Sequence, residues 1–115
     1  MSRTSQDPEG IRRLSAAALH ELLERGEQPL LVDVREDVEF AAGHLAGALH
    51  IPLGQLPQRL SEIGPQSQPV FICRSGGRSM AACQLALRAN IESPANLEGG
   101  MLGWAAAIDP SIRVV

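Results

Sequence analysis

Residues 71–79 read FICRSGGRS, and this stretch decides how the rest of the chain is read. Val70, Phe71 and Ile72 are β-branched or aromatic, the composition of a strand, and they run straight into Cys73. Gly76 and Gly77 then let the backbone turn without side-chain clashes. Arg78 and Ser79 open a stretch, 79–90, in which Ala82, Leu85, Ala86 and Ala89 recur at helical spacing. A strand that passes through a glycine turn into a helix is the repeating unit of parallel α/β sheets.

The same alternation extends outward in both directions. Ser15 reads as the N-cap of a helix over 16–25, where Leu19, Leu22 and Leu23 share a face and Gly26 supplies the stop. Residues 30–34, LLVDV, form a short apolar run with one acid, the pattern of a strand buried on both faces. Residues 36–42 are helix-like and end at Gly43, residues 48–51 (ALHI) read as a strand before Pro52, and a helix follows around 55–62. After the helix over 79–90, Asn96 and Leu97 suit a last short strand and 101–107 a closing helix. Right-handed crossovers place all parallel strand C-termini on one edge, where open α/β sheets hold their ligands. Cys73 stands on that edge.

The bulk properties set limits. A chain of 115 residues, 44% apolar and 20% charged, fits one soluble globular domain. A net charge of −3 with a pI near 5.5 argues against nucleic acid as a partner. The opening MSRTSQDPEG lacks a signal-peptide apolar run, and no segment has the continuous apolar length of a membrane span, so a cytoplasmic location is expected. The two cysteines, Cys73 and Cys83, have no CxxC spacing; free thiols are expected rather than a disulfide scaffold or a metal site.

The chemistry of the loop follows from its backbone. Unpaired amides from the turn and from the first turn of the following helix form an anion cradle at the positive end of the helix dipole. A cysteine at its centre is held as thiolate, because helix N-termini and nearby cations bring thiol pKa values down from about 8.5 to roughly 3.5–7.5. Arg74 and Arg78 flank Cys73 among small residues, so an incoming anion meets charge as well as N–H donors. The competing view is that Cys73 is an inert buried thiol. Two arginines and a glycine pair beside it argue against that, since burying the arginines unpaired would be costly.

These blocks resemble the rhodanese-like sulfurtransferases in their single-domain form. Besides CRSGGRS, the stretch LLVDVREDVEFAAGHLAGALHIP is similar to the family's strand and GHIxGAxxIP signature, and NLEGGMLGW to its closing L-x-GG-x-x-x-W segment. The resemblance spans roughly residues 11–108. It implies a rhodanese-like α/β domain over 11–115, with a central, mainly parallel five-stranded sheet flanked by helices on both faces, after a flexible segment over 1–10. It further implies that Cys73 forms a persulfide, that Arg74, Ser75, Gly76, Gly77, Arg78 and Ser79 cradle the transferred sulfur, and that Asp33 and Arg35 support the active-site edge. The implied partners are a small anionic sulfur donor such as thiosulfate and a cyanide or thiol acceptor, protein thiols included; no cofactor is required.

The fold also resembles that of certain dual-specificity phosphatases and arsenate reductases. Four residues separate Cys73 from Arg78. The phosphatases place five there, so the shorter loop favours a lone sulfur over three phosphoryl oxygens. A second functional class stays open: a regulatory or carrier module serving a protein partner. The remaining candidates have plainer readings. Cys83, about 7 Å along the helix, suits core packing better than a resolving role. His44 is read as a loop residue, His20 as solvated, and Phe40, Phe71 and Trp104 as core. The acidic residues Glu36, Asp37 and Glu39 suit a solvated first helical turn favoured by the dipole.

Overall fold

The computed structural model describes residues 4–115. The apolar run at 30–34 forms β3, Leu31–Asp33, with every residue buried, and β5, Val70–Ile72, and β6, Ala95–Leu97, are buried throughout in the same way. Strands that are apolar on both sides need a cover on both faces. It is supplied by α1, Ala16–Glu24, and α5, Gly100–Ala107, on one side, and by α4, Gly77–Arg88, on the other. Side chains alternate between the two cores. Leu31, Val70 and Ile72 pack with Leu19, Met101 and Trp104, whereas Val32, Phe71 and Cys73 pack with Ala82, Cys83 and Ala86.

The sheet also contains β2, Arg12–Leu14, and β4, Leu49–His50. Its five parallel strands run in the order β2, β6, β5, β3, β4. The expected mainly parallel, five-stranded architecture is therefore present. A sixth strand, β1, Thr4–Gln6, adds an antiparallel edge on β2. Within the segment 1–10 that was expected to be flexible, residues 4–6 are paired into the sheet, and residues 1–3 lie outside the described ones. The turn joining the two strands is tied by Asp7, whose carboxylate accepts from the backbone N–H groups of Glu9 (2.9 Å) and Ile11 (3.1 Å).

Local signals fix most helix ends. The Ser15 side chain caps α1 by accepting from the Ala18 N–H at 3.0 Å. The second helix, α2, Asp37–Ala42, begins with a capping box between Glu36 and Glu39. The helix expected over 55–62 is replaced by a short α3, Leu56–Arg59, between two 3₁₀ turns, Leu53–Gln55 and Leu60–Glu62. Among the described residues no helix is long and apolar enough to cross a membrane.

Candidate functional site

Cys73 leaves the C-terminal end of β5 and is 1% exposed. The chain turns at once, with Gly76 at a φ of 115°, and α4 starts at Gly77. That left-handed turn aims the Gly76 N–H at the cysteine, with the nitrogen 3.0 Å from Sγ. The Ser79 hydroxyl oxygen lies 3.2 Å from Sγ on the first turn of α4. Burial alone pushes the thiol pKa up; the Ser79 hydroxyl and the backbone N–H groups of Ser79, Gly76 and Ser75 outweigh it, and the net direction is down. The Gly76 N–H and the Ser79 hydroxyl thus both stand against Sγ. Cys83 contrasts with it. Fully buried among apolar side chains, its thiol is pushed up to about 12, so it is an inert core residue.

The closing segment holds this loop from the other side. The N–H groups of Met101 and Leu102 donate to the carbonyls of Cys73 (2.9 Å) and Arg74 (3.0 Å). Such close approach requires glycine at position 100, where a Cβ would stand 2.5 Å from the Cys73 carbonyl oxygen and 2.6 Å from the Arg74 carbonyl carbon. The NLEGGML stretch, residues 96–102, is thus a backbone clamp on the cysteine loop. Its Asn96, on β6 and 2% exposed, faces the same place. Ser79 donates to Asn96 Oδ1 at 2.5 Å, and Asn96 Nδ2 donates to the carbonyl of Gly76 at 3.2 Å. Asn96 read from the sequence only as part of a strand. A lone amide in an otherwise apolar buried strand was the available signal, since a buried amide needs partners.

The two arginines differ from expectation. Arg78 is not free beside the cysteine: it makes a bidentate pair with Glu39 of α2, at 2.7 and 2.8 Å. The hydrogen bond from Arg78 holds the Glu39 carboxyl down at about 2, and burial opposes this without prevailing. Glu39 is therefore not part of a solvated acidic turn; its side chain is only 14% exposed. Arg74 stands exposed on the rim, its Nε donating to a Val115 oxygen at 3.0 Å. The DPSIRVV tail returns to the site edge here and also crosses Gly43, where a Cβ would meet the Arg113 carbonyl oxygen at 2.6 Å.

Asp33 and Arg35, both fully buried, form an ion pair beneath this edge, with Arg35 Nη1 left without a hydrogen-bond partner. Arg35 donates from Nε (3.0 Å) and Nη2 (2.8 Å) to the Asp33 carboxylate, and Nη2 also reaches the carbonyl of Gly43 at 2.8 Å. The pair ties the end of α2 to β3, and α2 in turn presents Glu39 to Arg78. His50 donates from Nε2 to the Arg35 carbonyl at 2.7 Å. Phe40 is stacked between His44 and His50, with ring centroids 3.7 and 4.2 Å away, rather than in the core. Among the described residues no three His, Cys, Asp or Glu side chains gather as a metal site.

Comparison with known proteins agrees with this geometry. The family model described as the rhodanese-like domain matches residues 15–107. A sulfurtransferase of Allochromatium vinosum is 36% identical over 95 residues, covering 83% of this chain and 89% of that protein. Among solved structures, a rhodanese-like domain protein from Staphylococcus aureus superimposes with a TM-score of 0.78 at 26% identity, covering 90% of this chain and 97% of that one. The human single-domain sulfurtransferase TSTD1 gives a TM-score of 0.73 at 30% identity, covering 83% and 96%. A strand-borne cysteine, its amide cradle and the glycine clamp that closes over it thus sit in a chain that belongs to the rhodanese-like family.

Proposed function

We propose that the protein is a sulfurtransferase that carries a sulfane sulfur as a persulfide on Cys73. The observation that supports this most is the ring of donors around a buried Sγ, with Gly76 N–H at 3.0 Å and a thiol pKa held below its ordinary value. A thiol whose ionisation is eased in this way is the nucleophile such chemistry needs. In the first displacement Cys73 Sγ attacks the outer sulfur of a donor such as thiosulfate. A new S–S bond forms as the donor's own S–S bond breaks, and sulfite leaves with that electron pair. The loop N–H groups of Ser75, Gly76 and Ser79 face the resulting persulfide anion. Cyanide or a thiol then takes the outer sulfur, and Cys73 returns as thiolate. Arg74, exposed on the rim, is the cation an anionic donor meets first. Arg78, neutralised by Glu39, serves mainly to fix the loop against α2.

Thiosulfate:cyanide turnover tests this reading. Cys73→Ser should abolish it while the protein stays folded, because a hydroxyl is nearly the same size and far less nucleophilic. Cys83→Ser should retain most of it. Appreciable turnover by Cys73→Ser would overturn the assignment. Turnover that fails while Cys73 still takes up sulfur would instead mark a carrier that releases only to a protein thiol.

A further inference from the structure

The Ser79 hydroxyl lies between two groups, Cys73 Sγ at 3.2 Å and Asn96 Oδ1 at 2.5 Å, and it has a single proton. When Cys73 is a thiol there is no conflict. The S–H donates to Ser79, and Ser79 donates to Asn96. When Cys73 loses its proton to solvent, the thiolate and the Asn96 carbonyl both need that one hydroxyl proton. Asn96 cannot escape by rotating its amide. Its Nδ2 is committed to two acceptors, the carbonyl of Gly76 and Glu98 Oε2, each at 3.2 Å, and a flip would set Oδ1 against both. Nor is solvent at hand to replace the lost partner, since Ser79 is fully buried and Asn96 2% exposed.

We propose that Asn96 is a positioning residue that competes with the Cys73 thiolate for the Ser79 proton, so that Ser79 shows its lone pair to the thiol and gives up its bond to Asn96 only as the anion forms. The consequence for the reaction, on the sulfurtransferase reading above, concerns the leaving step. When an acceptor takes the outer sulfur, Cys73 departs as thiolate, and the Ser79 proton turns from Asn96 towards it at the moment the charge appears.

Other charged groups around the cysteine set a background that the test must separate. Arg78 of α4 is paired with Glu39 of α2, Asp33 and Arg35 form a buried pair at the end of β3, and Arg74 stands on the loop. Glu98 beside Asn96 is also paired, with Arg13 of β2 at 3.5 Å. Substituting Asn96 further removes a donor from the Gly76 carbonyl. The decisive quantity is therefore a coupling, in which such background effects cancel.

The experiment follows the iodoacetamide reaction rate of Cys73 against pH in wild type, Ser79→Ala, Asn96→Ala, Asn96→Asp and the two double variants. Because sulfur transfer is not required, failure of the catalytic reading leaves the result intact. With Asn96 competing, Ser79→Ala raises the inflection only modestly in the wild type. In the Asn96→Ala background, where the hydroxyl is free to serve the thiolate, the same change should raise it by about one pH unit more, a tenfold difference in ionisation. Asn96→Asp sets a second oxygen against the Gly76 carbonyl and Glu98, which favours the protonated carboxyl, so it accepts the hydroxyl proton much as the amide does and Ser79→Ala should there have the small effect it has in the wild type; if the alanine does not fold, Asn96→Leu, of nearly the amide's size and without an acceptor, takes its place. An equal effect of Ser79→Ala in all three backgrounds, or the reverse order, would overturn the proposal.

Discussion

Gly76 and Gly77 are adjacent and chemically identical, yet they carry different duties. Gly76 turns the chain at a φ of 115°, while Gly77 opens α4 with no heavy atom within 4 Å of where a Cβ would stand. Gly76→Ala should therefore cost about 1–2 kcal/mol of stability by thermal unfolding and disturb the cradle. Gly77→Ala should fold as well as the wild type. Glu39 makes a second residue-scale prediction. Its carboxyl is held down at about 2 against an ordinary 4.5, so the pair with Arg78 contributes its full stability above about pH 4.5 and loses it as pH falls through about 2. Glu39→Gln should be less stable at pH 7 by about 1 kcal/mol, a modest figure because Arg78 is partly exposed, and that gap should close in acid. Urea melts at a series of pH values measure it. The cysteine, its glycines and the following serine were legible in the sequence because local spacing alone places them at a helix N-terminus. Glu39 and Asn96 were not, because their partners stand 39 and 17 residues away along the chain.

At the scale of elements, the loop between β5 and α4 and the start of α5 act as one unit. Inserting a glycine between Gly76 and Gly77 widens the ring of N–H donors and draws Gly76 N–H away from Sγ. Sulfur transfer should fall by about 10²–10³, the cost of losing one well-aimed donor, and phosphate or arsenate should then bind. Equal transfer by wild type and insertion would remove the steric basis for reading a lone sulfur from the loop length. Gly100→Ala should act at a distance. Its Cβ meets the Cys73 and Arg74 backbone rather than a flexible side chain, so the loop itself must shift, lowering stability by about 1–3 kcal/mol and raising the pH of Cys73 alkylation. The strands at 30–34 and 70–72 were legible because they are short apolar runs, interrupted only by Asp33. The strand β2 was missed because it begins with two arginines. Arg12 reaches loop carbonyls of Ser93 and Gln68 beyond the sheet, and Arg13 pairs with Asp7 and Glu98, so neither charge enters the core.

For the molecule as a whole, two cores on opposite faces of one sheet leave the strand C-termini as the edge where loops from β3, β5 and β6 converge. The buried Asp33–Arg35 pair, the clamp from α5 and the returning tail all brace that edge around a single sulfur atom. The central claim is that this sulfur accepts another. Mass measurement of the intact protein after thiosulfate treatment, with peptide mapping, tests it most directly. The account predicts a gain of one sulfur atom on Cys73 that cyanide removes and that Cys73→Ser never shows. An unchanged mass in the folded wild type, or a sulfur that stays on Cys73→Ser, would contradict it.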